Sequence, residues 1–174
     1  MLKLKNISLF ILAALLASCN NNTSTKSKID KKELEETLVN VNKKLLKSED
    51  EQITDFITRY GWEMKETGTG LRYKIYVHGS GPLAVKNQIA TVGFTVSLLN
   101  GKACYSSDTE GLKEFKIGQG GIESGVEEGI LLMKKGDRAK FIIPSHLAFG
   151  LIGDSDKIPA KATLVYDIEL VELK

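Results

Sequence analysis

Two apolar rhythms divide the chain. Leu34, Leu38, Val41 and Leu45 recur at spacings of four, three and four, which sets them along one face of a helix. Asp30 with Glu33 makes a capping box ahead of this stripe, and Ile29 is placed to staple onto Leu34. A second start signal, Ser48 with Glu51, precedes another stripe of Ile53, Phe56, Ile57 and Tyr60, closed by Gly61. Residues 29–61 are therefore expected to form a helical segment, in two helices.

From Leu71 the period changes to two. Leu71, Tyr73, Ile75 and Val77 alternate with polar residues, and "HGSGP" then breaks the run. Ile89 to Leu99 is rich in β-branched and apolar residues and ends at Asn100-Gly101, a strong hairpin signal. A polar loop follows, then "FKI", a glycine-rich turn, a short helix around Val126 to Met133, a strand Arg138 to Ile143, a long loop and a closing strand Thr163 to Glu172. This order predicts an α+β domain over residues 69–174, an antiparallel sheet wrapped on one short helix and preceded by the N-terminal helical segment.

The first residues change the picture of where the domain sits. Residues 1–18, "MLKLKNISLFILAALLAS", carry Lys3 and Lys5, then an apolar run, then small residues before Cys19, a secretory leader pattern too short to span a bilayer comfortably. Leu16-Ala17-Ser18-Cys19 resembles the bacterial lipobox, which implies a lipidated Cys19 as the first mature residue and a tether to a membrane by acyl chains. Residues 19–28 run from that cysteine through "NNNTSTKSK", a polar stretch with nothing to bury that reads as a flexible linker. With Lys3 and Lys5 removed, 22 basic residues face 22 acidic ones. The balance gives no basic footprint for nucleic acid. Lipidation of Cys19 leaves Cys104 without a disulfide partner, in the role of a small buried apolar residue.

Conventional catalytic groups are scarce in this sequence. His78 and His146 have no metal-ligand spacing around them, and Gly118-Gln119-Gly120-Gly121 is followed by no Gly-Lys-Ser/Thr, so a tight turn explains it better than a phosphate loop. Glu127-Glu128 opens the short helix, where carboxylates favour the helix dipole, and Ser145 lacks both a neighbouring base and a nucleophile elbow. The stripe of Leu34 to Leu45 admits a dimer contact or packing on its own domain, and its barely two heptads favour the latter.

The run "GVEEGILLMKKGDRAKFIIPSHLAFG", with "IPAKATLVYDIELVEL", "SGPLA", "LLNGKACYSS" and "FKIG", resembles the FK506-binding family of peptidyl-prolyl isomerases. The resemblance implies rotation about X-Pro bonds of polypeptide clients, with no cofactor and no metal. Resonance puts a barrier of about 18–20 kcal/mol on that rotation. A dry aromatic cradle that withholds hydration from the charge-separated planar amide favours the twisted one. The implied pocket is lined by Phe94, Phe115, Ile122, Phe149, Ile158 and Tyr166, with the backbone N–H of Glu123 open to a substrate carbonyl.

Several positions depart from the family's pattern. Cys104 and Tyr105 stand where phenylalanine and aspartate are usual, Val126 where a tryptophan floors the pocket, Glu123 for isoleucine and Phe149 for tyrosine. Losing an indole of about 150–250 Å² leaves space that Tyr105 would have to enter. The segment "GWEMKETGTGLRY" is similar to gliding-motility-associated lipoproteins of Bacteroidota, which implies a link to gliding or secretion machinery and an outer-membrane position facing the periplasm.

Overall fold

The computed structural model describes residues 31–174, with the side chains at 32, 33, 45 and 46 left aside. The leader, Cys19, the linker and the Asp30 cap lie outside the described residues. The chain divides into two units, residues 1–40 and Val41–Lys174. In the first, Lys31 to Asn40 are helical, Leu34, Leu38 and Val39 are exposed, and Lys31 pairs with Glu35 at 3.8 Å.

The helical segment is a single helix, α1 (Lys31–Tyr60), rather than two. Ser48 is a competent cap, but no glycine or proline interrupts the chain around it, so the backbone has no reason to leave the helix there. Within the second unit the last three turns of α1 bury Ile53 and Phe56 against Ile142 and Val165, with Ile57, Trp62, Met64 and Leu99 at the margin. Phe56, Tyr60 and Trp62 stack at the helix end, their ring centroids 4.6 to 5.5 Å apart.

The sheet is antiparallel and seven-stranded: β1 (Lys65–Glu66), β2 (Arg72–Val77), β3 (Ile89–Leu98), β4 (Ala103–Ser106), β5 (Lys113–Lys116), β6 (Arg138–Ile143) and β7 (Leu164–Leu173). The order is β1-β2-β6-β7-β3-β4, with β5 also paired to β3. A short helix α2 (Ser107–Glu110) follows β4, and α3 (Ser124–Ile130) packs on the sheet. The segment between Asn100 and Lys113, expected as loop, thus holds β4 and α2. Ser106 caps α2 by accepting from the Asp108 N–H, and a four-residue strand is too short to show a period.

Side-chain alternation explains the rest of the core. Phe141 and Ile143 of β6 point inward to α3, with no exposed surface, while Ile142 points to the other face and is equally buried. The run "FII" is apolar throughout because α1 covers the outer face at that point. Gly125 and Gly129 let α3 lie directly on β6: a Cβ at Gly129 would stand 2.4 Å from the Phe141 ring, and one at Gly125 2.4 Å from Ile143. The Asn100-Gly101 hairpin forms as expected, with Gly101 at φ 84° and its N–H donating to Leu98.

Candidate functional site

Strands β3, β4, β5 and β7 bring side chains together at the inner face around α3. Phe115 (β5), Val126 (α3), Ile158 and Tyr166 (β7) are buried in one cluster with Cys104 (β4), and Phe94, Tyr105, Ile122 and Phe149 pack against it half-buried. The aromatic and aliphatic residues expected to line the pocket all belong to, or pack on, this one hydrophobic core cluster. Glu123 joins them through a hydrogen bond, its Oε1 accepting the Tyr166 hydroxyl at 2.9 Å. Burial, then the nearby Glu123 carboxylate and its hydrogen bond, push the Tyr166 phenol far above its ordinary range, so it stays protonated as a donor.

The departures rearrange the site in a definite way. Val126 has no exposed surface, so it lies beneath the cluster and no open floor remains at that position. Tyr105 packs at the edge and turns its hydroxyl toward the 150–161 loop, donating to Asp154 and, at 3.3 Å, to Asp156. The Lys157 ammonium stands over its ring, 4.5 Å from the centroid. Tyr105 is thus a strap on the loop that carries Ile158. Its bond to Asp154 raises the phenol's pKa, with burial adding to the effect.

Asp154 organises the same loop. It accepts the N–H groups of Asp156 at 2.9 Å and Ile158 at 2.8 Å as well as the Tyr105 hydroxyl. Burial opposes its ionised form, yet the bonds from Tyr105 and the two backbone N–H groups outweigh it and hold the carboxyl below its usual range. Cys104 lies beneath, a buried free thiol whose pKa is raised by burial.

Two further supports were not visible in the sequence. Glu127 accepts the N–H groups of Gly118 and Gly120, both at 3.1 Å, so it latches the glycine-rich turn leading to Ile122 as well as facing the helix dipole. Glu49 of α1 accepts the Ser145 N–H and the Thr163 hydroxyl, each at 2.6 Å, and the Ser145 hydroxyl at 3.1 Å. Ser145 in turn receives the N–H groups of Ala148 and Gly150 on its carbonyl, which fixes the loop bearing Phe149. A cavity of about 660 Å³ lies beside Glu49, lined by Gln52, Leu98, Leu99, Leu151, Pro159 and Ala162 among others, and two of these, Leu98 and Ala162, also pack on the aromatic cluster.

An aromatic cluster on the inner face of an antiparallel sheet, beside a short helix, is the architecture of a known family, and residues 81–171, more than half of the chain, match FKBP-type peptidyl-prolyl cis-trans isomerase. The chain belongs to that family. Among its relatives is a probable FKBP-type peptidyl-prolyl cis-trans isomerase, FkpA, of Neisseria meningitidis serogroup B, 40% identical over 111 residues that make up 63% of this chain and 40% of that protein. FkpA of Escherichia coli K12 is 28% identical over 173 residues, 92% of this chain and 63% of that one. The present chain thus spans less than two thirds of the length of either relative. Among solved structures, that of E. coli FkpA superposes with a TM-score of 0.63 over 99% of this chain and 83% of its own, at 28% identity. AtFKBP13 covers 65% of this chain and all of its own, with a TM-score of 0.62 at 33% identity.

Proposed function

We propose that the protein is a peptidyl-prolyl cis-trans isomerase acting on exported polypeptides as they fold. The observation that supports this reading is that Phe94, Phe115, Ile122, Phe149, Ile158 and Tyr166 all belong to or pack on one hydrophobic cluster. An X-Pro amide in such a cradle loses the water that stabilises its planar, charge-separated form, and the barrier to rotation falls. By the family resemblance, the Glu123 backbone N–H is assigned to a substrate carbonyl. The site needs no proton transfer and no bound cofactor for this chemistry. Unaided isomerisation takes tens to hundreds of seconds, so even modest acceleration is measurable with short X-Pro peptides. A folded chain that leaves the uncatalysed rate unchanged would overturn the reading.

A second reading is a docking module without turnover. It is favoured by the covered Val126 and by a carboxylate at the site, both of which reduce the open apolar floor. Binding of X-Pro peptides without rate enhancement would select it.

The address of the protein rests on the sequence alone. Lipidation at Cys19, an outer-membrane position facing the periplasm and a link to gliding or secretion machinery are proposed from the lipobox and from "GWEMKETGTGLRY". Cys19→Ser should abolish lipid labelling and membrane retention, and unchanged retention would refute the anchor. A dimer through the N-terminal helix is proposed from exposed Leu34, Leu38 and Val41. Sedimentation of a chain with these three changed to serine tests it, a persisting dimer counting against the helix.

A further inference from the structure

Glu123 holds an unmet demand. Its Oε1 is satisfied by Tyr166, while its Oε2 is buried and has no hydrogen-bond partner among the described residues. A carboxylate oxygen withdrawn from water and left without a donor is costly, and such oxygens in native proteins call for an explanation. The oxygen lies beside the aromatic cluster but is shut off from water, so a ligand donor reaches it only by parting the side chains that cover it. Glu123 directly precedes α3, and the tyrosine that holds it stands among Phe115, Val126 and Ile158. A ligand seated against that cluster is therefore the natural source of the missing donor.

The surrounding charge narrows the kind of donor. Glu110 and Glu123 both act on Tyr166, Asp154 acts on the neighbouring Tyr105 and Cys104, and Asp156 acts on Tyr105. Against these four carboxylates stand Lys102 and Lys157, and Lys157 is already engaged over the Tyr105 ring. The balance is negative, which favours a cation over a neutral donor. The prolyl nitrogen has no hydrogen to offer, so the donor must come from a neighbouring residue of the substrate.

We propose that Glu123, held in place by Tyr166, is a specificity-determining residue that makes the site prefer X-Pro segments in which X is lysine or arginine. The proposal rests on the isomerase reading for its substrate class. In it, the backbone of Glu123 takes the carbonyl of X while its carboxylate takes the side chain of the same residue. One residue thus reads both the bond to be rotated and the charge beside it.

The test is a series of short peptides with Lys, Arg, Leu or Glu before proline, assayed with the purified full-length chain. For the wild type, kcat/KM for Lys-Pro and Arg-Pro should exceed that for Glu-Pro roughly tenfold or more, the size of one charge-assisted hydrogen bond. In Glu123→Gln, which keeps an acceptor for Tyr166 but loses the charge, that ratio should fall to about twofold or less. Asp154→Asn, which alters the local field and leaves Glu123 intact, should keep most of the preference. A wild-type ratio near one would overturn the proposal without need of any variant. So would an unchanged ratio in Glu123→Gln, or an equal collapse in Asp154→Asn. If no peptide is turned over, the isomerase reading fails by itself. The ratio of dissociation constants for the same peptides then decides the role of Glu123.

Discussion

Glu49 links the helix α1 to the site, and removing it tests whether that link matters. The carboxylate receives three hydrogen bonds, from the Ser145 N–H, the Ser145 hydroxyl and the Thr163 hydroxyl, and both partner residues are buried. Hydrogen bonds to a charged group contribute about 1.5–3 kcal/mol each, and a donor left unpaired in a buried place costs about 1–3 kcal/mol. Two of these bonds share one oxygen and the glutamate itself is half-exposed, so their contributions do not simply add. Glu49→Ala should therefore destabilise the fold by about 3 kcal/mol, a fall in Tm of roughly 10 °C for a domain of this size. Glu49→Gln retains an acceptor for the two short bonds and should cost only about 1 kcal/mol. Thermal unfolding followed by near-ultraviolet circular dichroism reads both. A loss below about 0.5 kcal/mol in Glu49→Ala, the range of ordinary surface substitutions, would refute the reasoning.

Other perturbations follow from the same contacts. Gly129→Ala puts a methyl 2.4 Å from the Phe141 ring and should destabilise by about 1–3 kcal/mol, read as a lower urea midpoint; an unchanged midpoint would mean that α3 shifts freely on β6. Val126→Trp must force an indole into a position with no exposed surface, so it should lower Tm and leave peptide turnover no higher than in the wild type; higher turnover would show that the site is merely underfilled. Asp154 has a lowered folded-state pKa, so its contribution to stability is fully present above the ordinary carboxylate value of 3.8 and is lost as pH falls through the folded value. Asp154→Asn should therefore flatten the acid limb of the stability profile below about pH 4, and an acid limb as steep as the wild type's would count against the Tyr105–Asp154 strap.

The sheet was legible wherever a strand had one wet face or ended in a turn that only certain residues adopt. Strand β6 runs between the residues its alternation suggested, and the Asn100-Gly101 turn sits where its chemistry required. Ile142 shows the limit of periodicity: its burial depends on Ile53 and Phe56, far away along the chain, and no local pattern carries that. The short β4 and α2 escaped because four residues hold no period. The helical segment has no break at Ser48, because Ser48 and Glu51 form a start signal that an uninterrupted helix can also contain.

The site divides along the same line. Its aromatic residues could be assigned to one cluster by resemblance, because their order along the chain carries the family's pattern. Their polar supports could not, because each is a long-range pair: Glu49 with Thr163, Tyr105 with Asp154, Glu123 with Tyr166. A glutamate and a tyrosine 43 positions apart give no sequence signal of contact. Glu127 was readable as a helix-dipole residue, and its second task of closing the Gly118–Gly120 turn emerged only when the turn curled back over it.

The central claim is that the cluster around Tyr166 lowers the barrier to X-Pro rotation. Cis-to-trans exchange of a Lys-Pro peptide, followed by nuclear magnetic resonance with and without the full-length chain, tests it most directly. The account predicts exchange faster than the uncatalysed rate in proportion to protein concentration, and slower exchange when Tyr166 or Phe115 is replaced by alanine in chains that remain folded. Exchange at the uncatalysed rate in the presence of folded wild-type protein would contradict it.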